Sequence, residues 1–468
     1  MKVIVTERIA EEGIQYLRDQ GLEVDERYGI EAEELGGVIA GYDAIIVRSV
    51  TQVNEALIDK GVNLKVAGRA GNGIDNIDVA SCTGKGIIVV NTPESNVMAT
   101  AELAVGLSFA LFRNLPQVRV AVRNKDFRRN LYIGNELDEK TVGVIGLGRI
   151  GSIVATKLKG CNMRVLAYDP YVTDEKFARL GVERCETLDE LLIHSDLITL
   201  HTPKTKETYG MLGERQLRTC KKGVRIVNCA RGGLVEEKAL YEAIKSGHVA
   251  SAAIDVLDPE PNFDTPPERQ KYHNALMDLD NVFLTPHLGA STEEANYNVG
   301  TAVARLVASV LQGELVAAVN VPAMSRDRLA EMNPYLELAE MLGKIYYQAE
   351  KETCTSVEVI FSGDLASAQD TKVLSLAALK GFLTPVRQEK VNYVNAEMLL
   401  QSMGIEFTET KRSEIEKYTN LITVRFRTKN KDLSVSGTVF AKSELRIVDF
   451  FGYKLDFEPT KVILAIQN

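Results

Sequence analysis

Arg231, Glu260 and His287 are the side chains of this chain best suited to do chemistry together, and each follows a short apolar run. Arg231 lies in Asn228-Cys-Ala-Arg-Gly-Gly233, Glu260 in Asp255-Val-Leu-Asp-Pro-Glu-Pro261, and His287 in Leu284-Thr-Pro-His-Leu-Gly-Ala-Ser291. An imidazole titrates near neutral pH and can take a hydroxyl proton. A carboxylate beside it orients the ring and favours its protonated form. The prolines on either side of Glu260 stiffen that carboxylate's backbone. A guanidinium can grip a substrate carboxylate through paired N–H donors. A base, an orienting acid and a carboxylate clamp are what oxidation of a 2-hydroxy acid requires. Each residue also has a plainer reading: Arg231 bracing a loop, Glu260 a solvated turn residue, His287 bonded within the core.

The run Thr141-Val-Gly-Val-Ile-Gly-Leu-Gly-Arg-Ile-Gly151 supplies the missing redox partner. It reads as a buried strand ending in Gly146-x-Gly148-x-x-Gly151, with Arg149 and Ile150 between the last two glycines, then a helix. Gly146 permits a tight turn, Gly148 lets backbone approach a pyrophosphate, and Gly151 lets helix pack on strand. The helix start offers unpaired N–H groups to phosphates. The next predicted strand ends in Val165-Leu-Ala-Tyr-Asp169, and a carboxylate there accepts from the ribose hydroxyls of NAD and repels the 2′-phosphate of NADP. The alternative is a glycine-rich turn with a surface Asp.

These residues need strands to carry them. Lys2–Val5, Ala44–Val47, a strand ending in Val66-Ala-Gly-Arg-Ala-Gly-Asn-Gly73, and 87–90 form one series, with an amphipathic helix over 9–20. A second series runs 142–145, 164–168, 197–200, 225–228, 250–256 and 282–284: six strands, fitting a doubly wound sheet. A helix over 99–115 is apolar nearly all round, so it is buried inside a domain or against a second subunit. A long helix covers 292–311, and 319–323 reads as a linker. Beyond it lie helices at 334–349, 373–383 and 396–403 and strands at 357–361, 422–426, 433–439 and 462–466. Ile422, Val424 and Phe426 alternate with Thr423, Arg425 and Arg427, so one face of that sheet is solvated.

Net charge is −9 and 25% of the residues are charged, against a nucleic-acid binder working by bulk electrostatics. The most apolar helical stretch, 101–112, is too short to span a bilayer, and the N-terminus reads as a strand rather than a signal peptide. Six cysteines and five histidines are scattered without metal-ligand spacing. Reduced thiols in a cytoplasmic enzyme, with no metal, are the expectation.

Taken with Gly68-Arg-Ala-Gly-Asn-Gly-Ile-Asp-Asn76, Asn91-Thr-Pro-Glu-Ser-Asn96, Lys221–Gly233 and Thr285–Thr292, these motifs resemble the D-isomer-specific 2-hydroxyacid dehydrogenases. Among them the chain is most similar to the D-3-phosphoglycerate dehydrogenase branch. That resemblance implies an α/β fold in which a Rossmann-type NAD domain (96–289) is inserted in a smaller flavodoxin-like substrate domain (1–95 and 290–320), with the active site in the cleft between them. It implies that Arg231 binds substrate carboxylate, Glu260 partners the histidine and His287 is the acid/base. It places Asp255 at the nicotinamide carboxamide, and Cys229, Ala230 and His201-Thr202-Pro203 along the cofactor.

A phosphorylated substrate needs cations: Arg48, ending an apolar strand, and Arg69 beside Asn72 and Gly73, whose Asn72 replaces a Thr of many relatives. Arg128 and Arg129 lie in a basic stretch, 113–129, which could equally be a solvated helix face. Residues 325–468 resemble the intervening α+β domain of the long-chain branch, through Val391-Asn-Tyr-Val-Asn-Ala396 and Gly452–Pro459. In relatives a small amino-acid-binding regulatory domain follows; the expectation is that this chain lacks it, by nature or by truncation, and is insensitive to serine. The resemblance implies oxidation of D-3-phosphoglycerate in serine biosynthesis by a homodimer or homotetramer, with no nucleic-acid or membrane partner. Alternatives are another D-2-hydroxyacid dehydrogenase, acting on glycerate, lactate or 2-hydroxyglutarate, or an NAD-sensing corepressor-like protein.

Overall fold

The computed structural model describes residues 1–261, 265–322, 326–350, 352–368, 370–387, 391–413, 417–441 and 443–459. Its contacts divide the chain into two compact units, Met1–Thr92 with Gly300–Asn468, and Pro93–Val299.

In the first unit, β1 (Lys2–Val5), β2 (Glu23–Glu26), β3 (Ala44–Val47), β4 (Val66–Arg69) and β5 (Ile88–Asn91) form a parallel sheet in the order β2-β1-β3-β4-β5. This is the flavodoxin-like order, which places ligands outside the carboxyl ends of the strands. All four residues of β3 are buried, as expected of a strand covered on both faces. Strand β2 is charged at three of its four positions and lies at the sheet edge, which is why hydrophobic pattern alone missed it.

The second unit holds seven parallel strands, one more than expected: β6 (Thr141–Ile145), β7 (Arg164–Tyr168), β8 (Glu183–Arg184), β9 (Leu197–Leu200), β10 (Val224–Asn228), β11 (Val249–Ile254) and β12 (Val282–Leu284). Their order is β12-β11-β10-β9-β6-β7-β8. The chain therefore winds outward from β6 in both directions, and the reversal between β6 and β9 opens the crevice where dinucleotides bind. The extra strand, β8, is two exposed residues on the edge, too short for any periodic signal. The apolar helix spans Val97–Phe112; half of its residues are buried, and Met98 and Phe109 are exposed. It stops short of 115 because Asn114 turns left-handed (φ 52°), and a new helix, Leu115–Arg123, starts with Pro116 in its first turn.

The segment 319–322 is pinned rather than loose. Val319 N donates to Val89 O (2.7 Å), and the Asn320 amide accepts from Val89 N (2.9 Å) and donates to Thr83 Oγ1 (3.0 Å) and Ile87 O (2.9 Å). Beyond it, β13 (Ser356–Gly363), β14 (Glu406–Arg412), β15 (Asn420–Arg427), β16 (Asp432–Phe440), β17 (Glu444–Phe450) and β18 (Tyr453–Phe457) form a mixed sheet, β14-β13-β15-β16-β17-β18, with β13 and β14 parallel and the rest antiparallel. Ile422, Val424 and Phe426 are fully buried while Arg427 is exposed, the expected alternation. The first helix of this part spans Arg326–Ala349, starting eight residues before the expected 334. Pro334, which reads as a helix start in sequence, stands inside the helix. The strand expected at 462–466 lies outside the described residues.

The motif at 391–396 docks on the turn that precedes β5. Asn392 Nδ2 donates to Gly86 O (2.5 Å), and a Cβ on Gly86, which has φ +70°, would lie 2.5 Å from the Asn395 amide nitrogen. Asn392 and Asn395 are both buried, so this polar contact acts without competition from water.

Candidate active site

The glycine turn closes β6 as the sequence predicts. Gly146 has φ +91°, and a Cβ on it would lie 2.8 Å from the His201 carbonyl oxygen at the end of β9. Only glycine lets the two strand ends approach this closely. A Cβ on Gly151 would collide with the Gly146 carbonyl oxygen, so helix Arg149–Lys159 packs on its strand only with glycine there. Gly148 is different: a Cβ on it would meet nothing within 4 Å. Its place is open, at the N-cap of that helix, where N–H groups point outward. Space without a protein neighbour at a helix N-terminus fits a bound pyrophosphate.

Asp169 leaves the end of β7 and touches the same turn. Its Oδ2 accepts from Leu147 N (2.8 Å) and its Oδ1 from Tyr171 N (2.9 Å). The carboxylate is thereby fixed at the mouth of the crevice, one strand from β6, where an adenosine ribose would sit. On the other side of β6, His201 Nε2 bonds Thr199 Oγ1 (2.9 Å), while Nδ1 is buried without a hydrogen-bond partner among the described residues. Burial pushes its imidazole down to about 3, so His201 is neutral at working pH and adds no charge to the crevice. Thr202 and Pro203 continue this wall, with Pro203 exposed.

Arg231, Glu260 and His287 all follow strands of this sheet: β10, β11 and β12. His287 Nδ1 lies 2.8 Å from Glu260 Oε1. A carboxylate only accepts, so Nδ1 carries the proton and the Nε2 lone pair could serve as a base. His287 is held at φ +53°, a conformation that costs a non-glycine residue roughly 1–3 kcal/mol and persists only where its surroundings impose it. Asp255 imposes it. Its backbone oxygen accepts from His287 N (3.0 Å), and its carboxylate accepts from Thr285 Oγ1 (2.6 Å), Leu288 N (2.7 Å) and Gly289 N (2.9 Å). Asp255 is 1% exposed, and three of its acceptor positions serve this loop. Sequence reading gave Asp255 a cofactor contact and gave no sign of this bracing, because its partners lie 30 or more residues away.

The arginine loop is built against the glutamate loop. Asn228 donates to Arg231 O (2.9 Å) and accepts from Ala230 N (3.0 Å), and Arg231 Nη1 donates to Ala230 O (2.6 Å). A Cβ on Gly233 would lie 2.5 Å from Asp258 Oδ2, two residues before Glu260. Asp258 is paired with Lys204 (2.7 Å), tying the loop after β9 to the loop after β11. Cys229 is buried beside this turn, and burial raises its thiol well above the ordinary range. It is an inert packing group there. Burial likewise pushes the Cys82 and Cys220 thiols up to about 12.

The cationic candidates divide between the units. Arg48 directly follows β3, and Arg69 closes β4, paired with Val47. The two arginines therefore leave neighbouring strand ends of the first unit, next to the loop carrying Asn72 and Gly73. Arg129 stands exposed in a short turn, Arg129–Tyr132, of the second unit. Arg113, Arg119, Arg123 and Arg128 are also outward-facing, none of them buried, so within one chain this stretch is a solvated surface.

An NAD-type crevice with an acid–base pair and an arginine at its strand ends defines a dehydrogenase of 2-hydroxy acids. Residues 105–289 match the family described as D-isomer specific 2-hydroxyacid dehydrogenase, NAD binding domain, and residues 331–451 match the D-3-phosphoglycerate dehydrogenase intervening domain. The chain is 42% identical to the D-3-phosphoglycerate dehydrogenase of Methanocaldococcus jannaschii, covering 100% of this chain and 87% of that one. It is 38% identical to that of Bacillus subtilis over the same shares of each. Among solved structures, it is similar to the TT0316 protein of Thermus thermophilus (TM-score 0.61, 30% identity, 67% of this chain and 98% of that one). It is also similar to a D-lactate dehydrogenase of Aquifex aeolicus complexed with NAD and lactic acid (TM-score 0.60, 28% identity, 67% and 96%). The chain belongs to the D-3-phosphoglycerate dehydrogenase family, and it is an NAD-dependent oxidoreductase.

Proposed function

We propose that this chain oxidises D-3-phosphoglycerate to 3-phosphohydroxypyruvate, the entry step of serine biosynthesis. The observation that carries this reading is the identity with D-3-phosphoglycerate dehydrogenases over the whole chain, intervening domain included. NAD, when bound, accepts the hydride. Gly146, Gly148, Gly151 and the start of helix Arg149–Lys159 would hold its pyrophosphate, and Asp169 its ribose. Arg231 grips the substrate carboxylate. His287 Nε2 takes the hydroxyl proton as the C–H bond breaks, and Glu260 steadies the imidazolium through Nδ1. Arg48 and Arg69 of the first unit bind the phosphate, with Asn72 and Gly73 shaping the loop beside them.

A homodimer or homotetramer is part of this reading. Leu115, Val120, Val122, Phe127, Leu131 and Ile133 are exposed along one segment of the second unit, and a crowd of exposed apolar side chains marks an interaction surface. Unpaired thiols support a cytoplasmic location. Among the described residues no helix is long and apolar enough to cross a membrane.

The test follows NADH consumption with 3-phosphohydroxypyruvate, hydroxypyruvate, pyruvate and 2-oxoglutarate side by side. The phosphorylated substrate is expected to give the highest kcat/KM. A higher value with any other reassigns the substrate, and turnover of none favours a binding protein.

A further inference from the structure

The loop Arg48–Thr51 leaves the end of β3 with no regular structure and an exposed tip at Ser49 and Val50. All four of its amides and two of its carbonyls are nevertheless tied by two side chains. Glu7 Oε1 accepts from Arg48 N (2.8 Å) and Thr51 N (3.0 Å), and Glu7 Oε2 accepts from Ser49 N and Val50 N (both 3.1 Å). Four consecutive amides thus converge on one carboxylate, a concave anion cradle occupied from within the chain. From the other side, Asn76 Nδ2 donates to Arg48 O (3.0 Å) and Thr51 O (2.7 Å). The Thr6 and Thr51 hydroxyls close the ring at 2.8 Å. Arg48 itself is further steadied by Nη1 donating to Arg8 O (3.3 Å), the residue after Glu7.

We propose that Glu7 is a positioning residue for substrate selection: its carboxylate fixes the loop that presents Arg48 and so sets the preference for a phosphorylated over an unphosphorylated hydroxy acid. This rests on the reading of Arg48 as a phosphate-binding residue. The direction of the effect is opposite to that of charge alone. A carboxylate near a phosphate site repels the phosphate, so its removal would favour phosphorylated substrates if proximity were its whole effect. Here the four N–H dipoles already compensate the carboxylate, and its loss frees four amides and an arginine that must then be ordered when substrate binds.

The experiment compares kcat/KM for 3-phosphohydroxypyruvate and for hydroxypyruvate, with NADH, in the parent, Glu7→Gln, Glu7→Asp and Arg48→Ala proteins. Glu7→Gln keeps the shape but sets amide N–H groups against backbone N–H groups. The phosphorylated-to-unphosphorylated ratio is expected to fall on the order of tenfold in Glu7→Gln, the scale of one charge-assisted bonding group. It falls by a smaller factor in Glu7→Asp, whose shorter stem cannot reach all four amides. A circular dichroism spectrum and Tm at the parent values certify a folded first unit, and NADH affinity at the parent value a folded second unit. A ratio that is unchanged or raised in Glu7→Gln, while Arg48→Ala lowers it, overturns the proposal. A ratio untouched by Arg48→Ala overturns the phosphate reading of Arg48 and this inference with it. If Glu7→Gln does not fold, Glu7→Asp decides, and the parent ratio in that variant counts against the proposal.

Discussion

Replacing Glu260 by glutamine removes a charge and keeps a shape. The Gln oxygen still accepts from His287 Nδ1, so the tautomer and the ring orientation survive. What is lost is attraction for the imidazolium that forms when Nε2 takes the substrate proton. The bonded atoms are 2.8 Å apart and the side chains are 30–31% exposed. Charge centres about 4 Å apart attract by about 4 kcal/mol at an effective dielectric of ~20. With about a third of each side chain in water, a dielectric roughly twice that is the better value, leaving about 2 kcal/mol. At about 1.4 kcal/mol per factor of ten, kcat for oxidation falls about 30-fold. The assay is the initial rate of NADH formation from D-3-phosphoglycerate, with NADH affinity measured separately from nicotinamide fluorescence and expected to match the parent. The chain has no Trp to interfere with that signal. A kcat within about threefold of the parent would refute the reasoning, and Glu260 would be a solvated turn residue.

Three further outcomes follow from the second unit. Gly148→Ala is expected to keep the parent Tm but raise the NADH Kd on the order of tenfold, while Gly151→Ala also loses Tm because its Cβ strikes the Gly146 carbonyl; equal effects of the two would contradict the cradle. Asp169→Ala weakens NAD binding and relaxes discrimination against NADP, measured as the ratio of Kd values, and an unchanged ratio removes Asp169 from the ribose site. His201, pushed by burial down to about 3, lies below its unfolded value near 6.5. The unfolded chain therefore binds the extra proton, and stability is full above about pH 6.5 and is lost as pH falls from there towards about 3. At about pH 5 the loss from this group is about 2 kcal/mol. His201→Gln is thus expected to shrink the drop in urea midpoint between about pH 7.5 and 5, followed by circular dichroism, and an equal drop in both proteins would mean that His201 is protonated in the fold.

The residues proposed to carry chemistry were legible because each follows a strand that announces itself. Buried parallel strands such as Ala44–Val47 and Leu197–Leu200 are nearly pure aliphatic runs, and topology forces their carboxyl ends to one side. The edge strands gave no such signal. Glu23–Glu26 and Glu406–Arg412 carry charges along much of their length because a sheet edge faces water and is protected by charge. The same limit applied at the helix over 326–349. A proline in sequence reads as a first turn, and only packing against the sheet decides that the helix runs through it.

The supporting shell of the site was the part least visible in sequence, for a reason that bears on its evolution. Asp255 and Glu7 do unlike jobs in different units by one physical device, a carboxylate that gathers backbone amides from a distant loop. Asp255 gathers two amides and a hydroxyl 30 or more residues away, and Glu7 gathers four amides more than 40 residues away. Because the donors are main-chain N–H groups, they impose almost no constraint on which side chains stand at 49, 50 or 288, so nothing in the local pattern marks the partner. The constraint falls wholly on the acid. Substitutions at 49, 50 and 288 are therefore free to tune specificity so long as the carboxylate remains, whereas an amide in place of either acid loses the cradle and a shorter stem at 7 weakens it. A substitution scan of 49, 50 and 7 would separate the two behaviours: broad tolerance at the loop positions with a sharp requirement at 7 follows from a backbone cradle, and equal tolerance at all three does not.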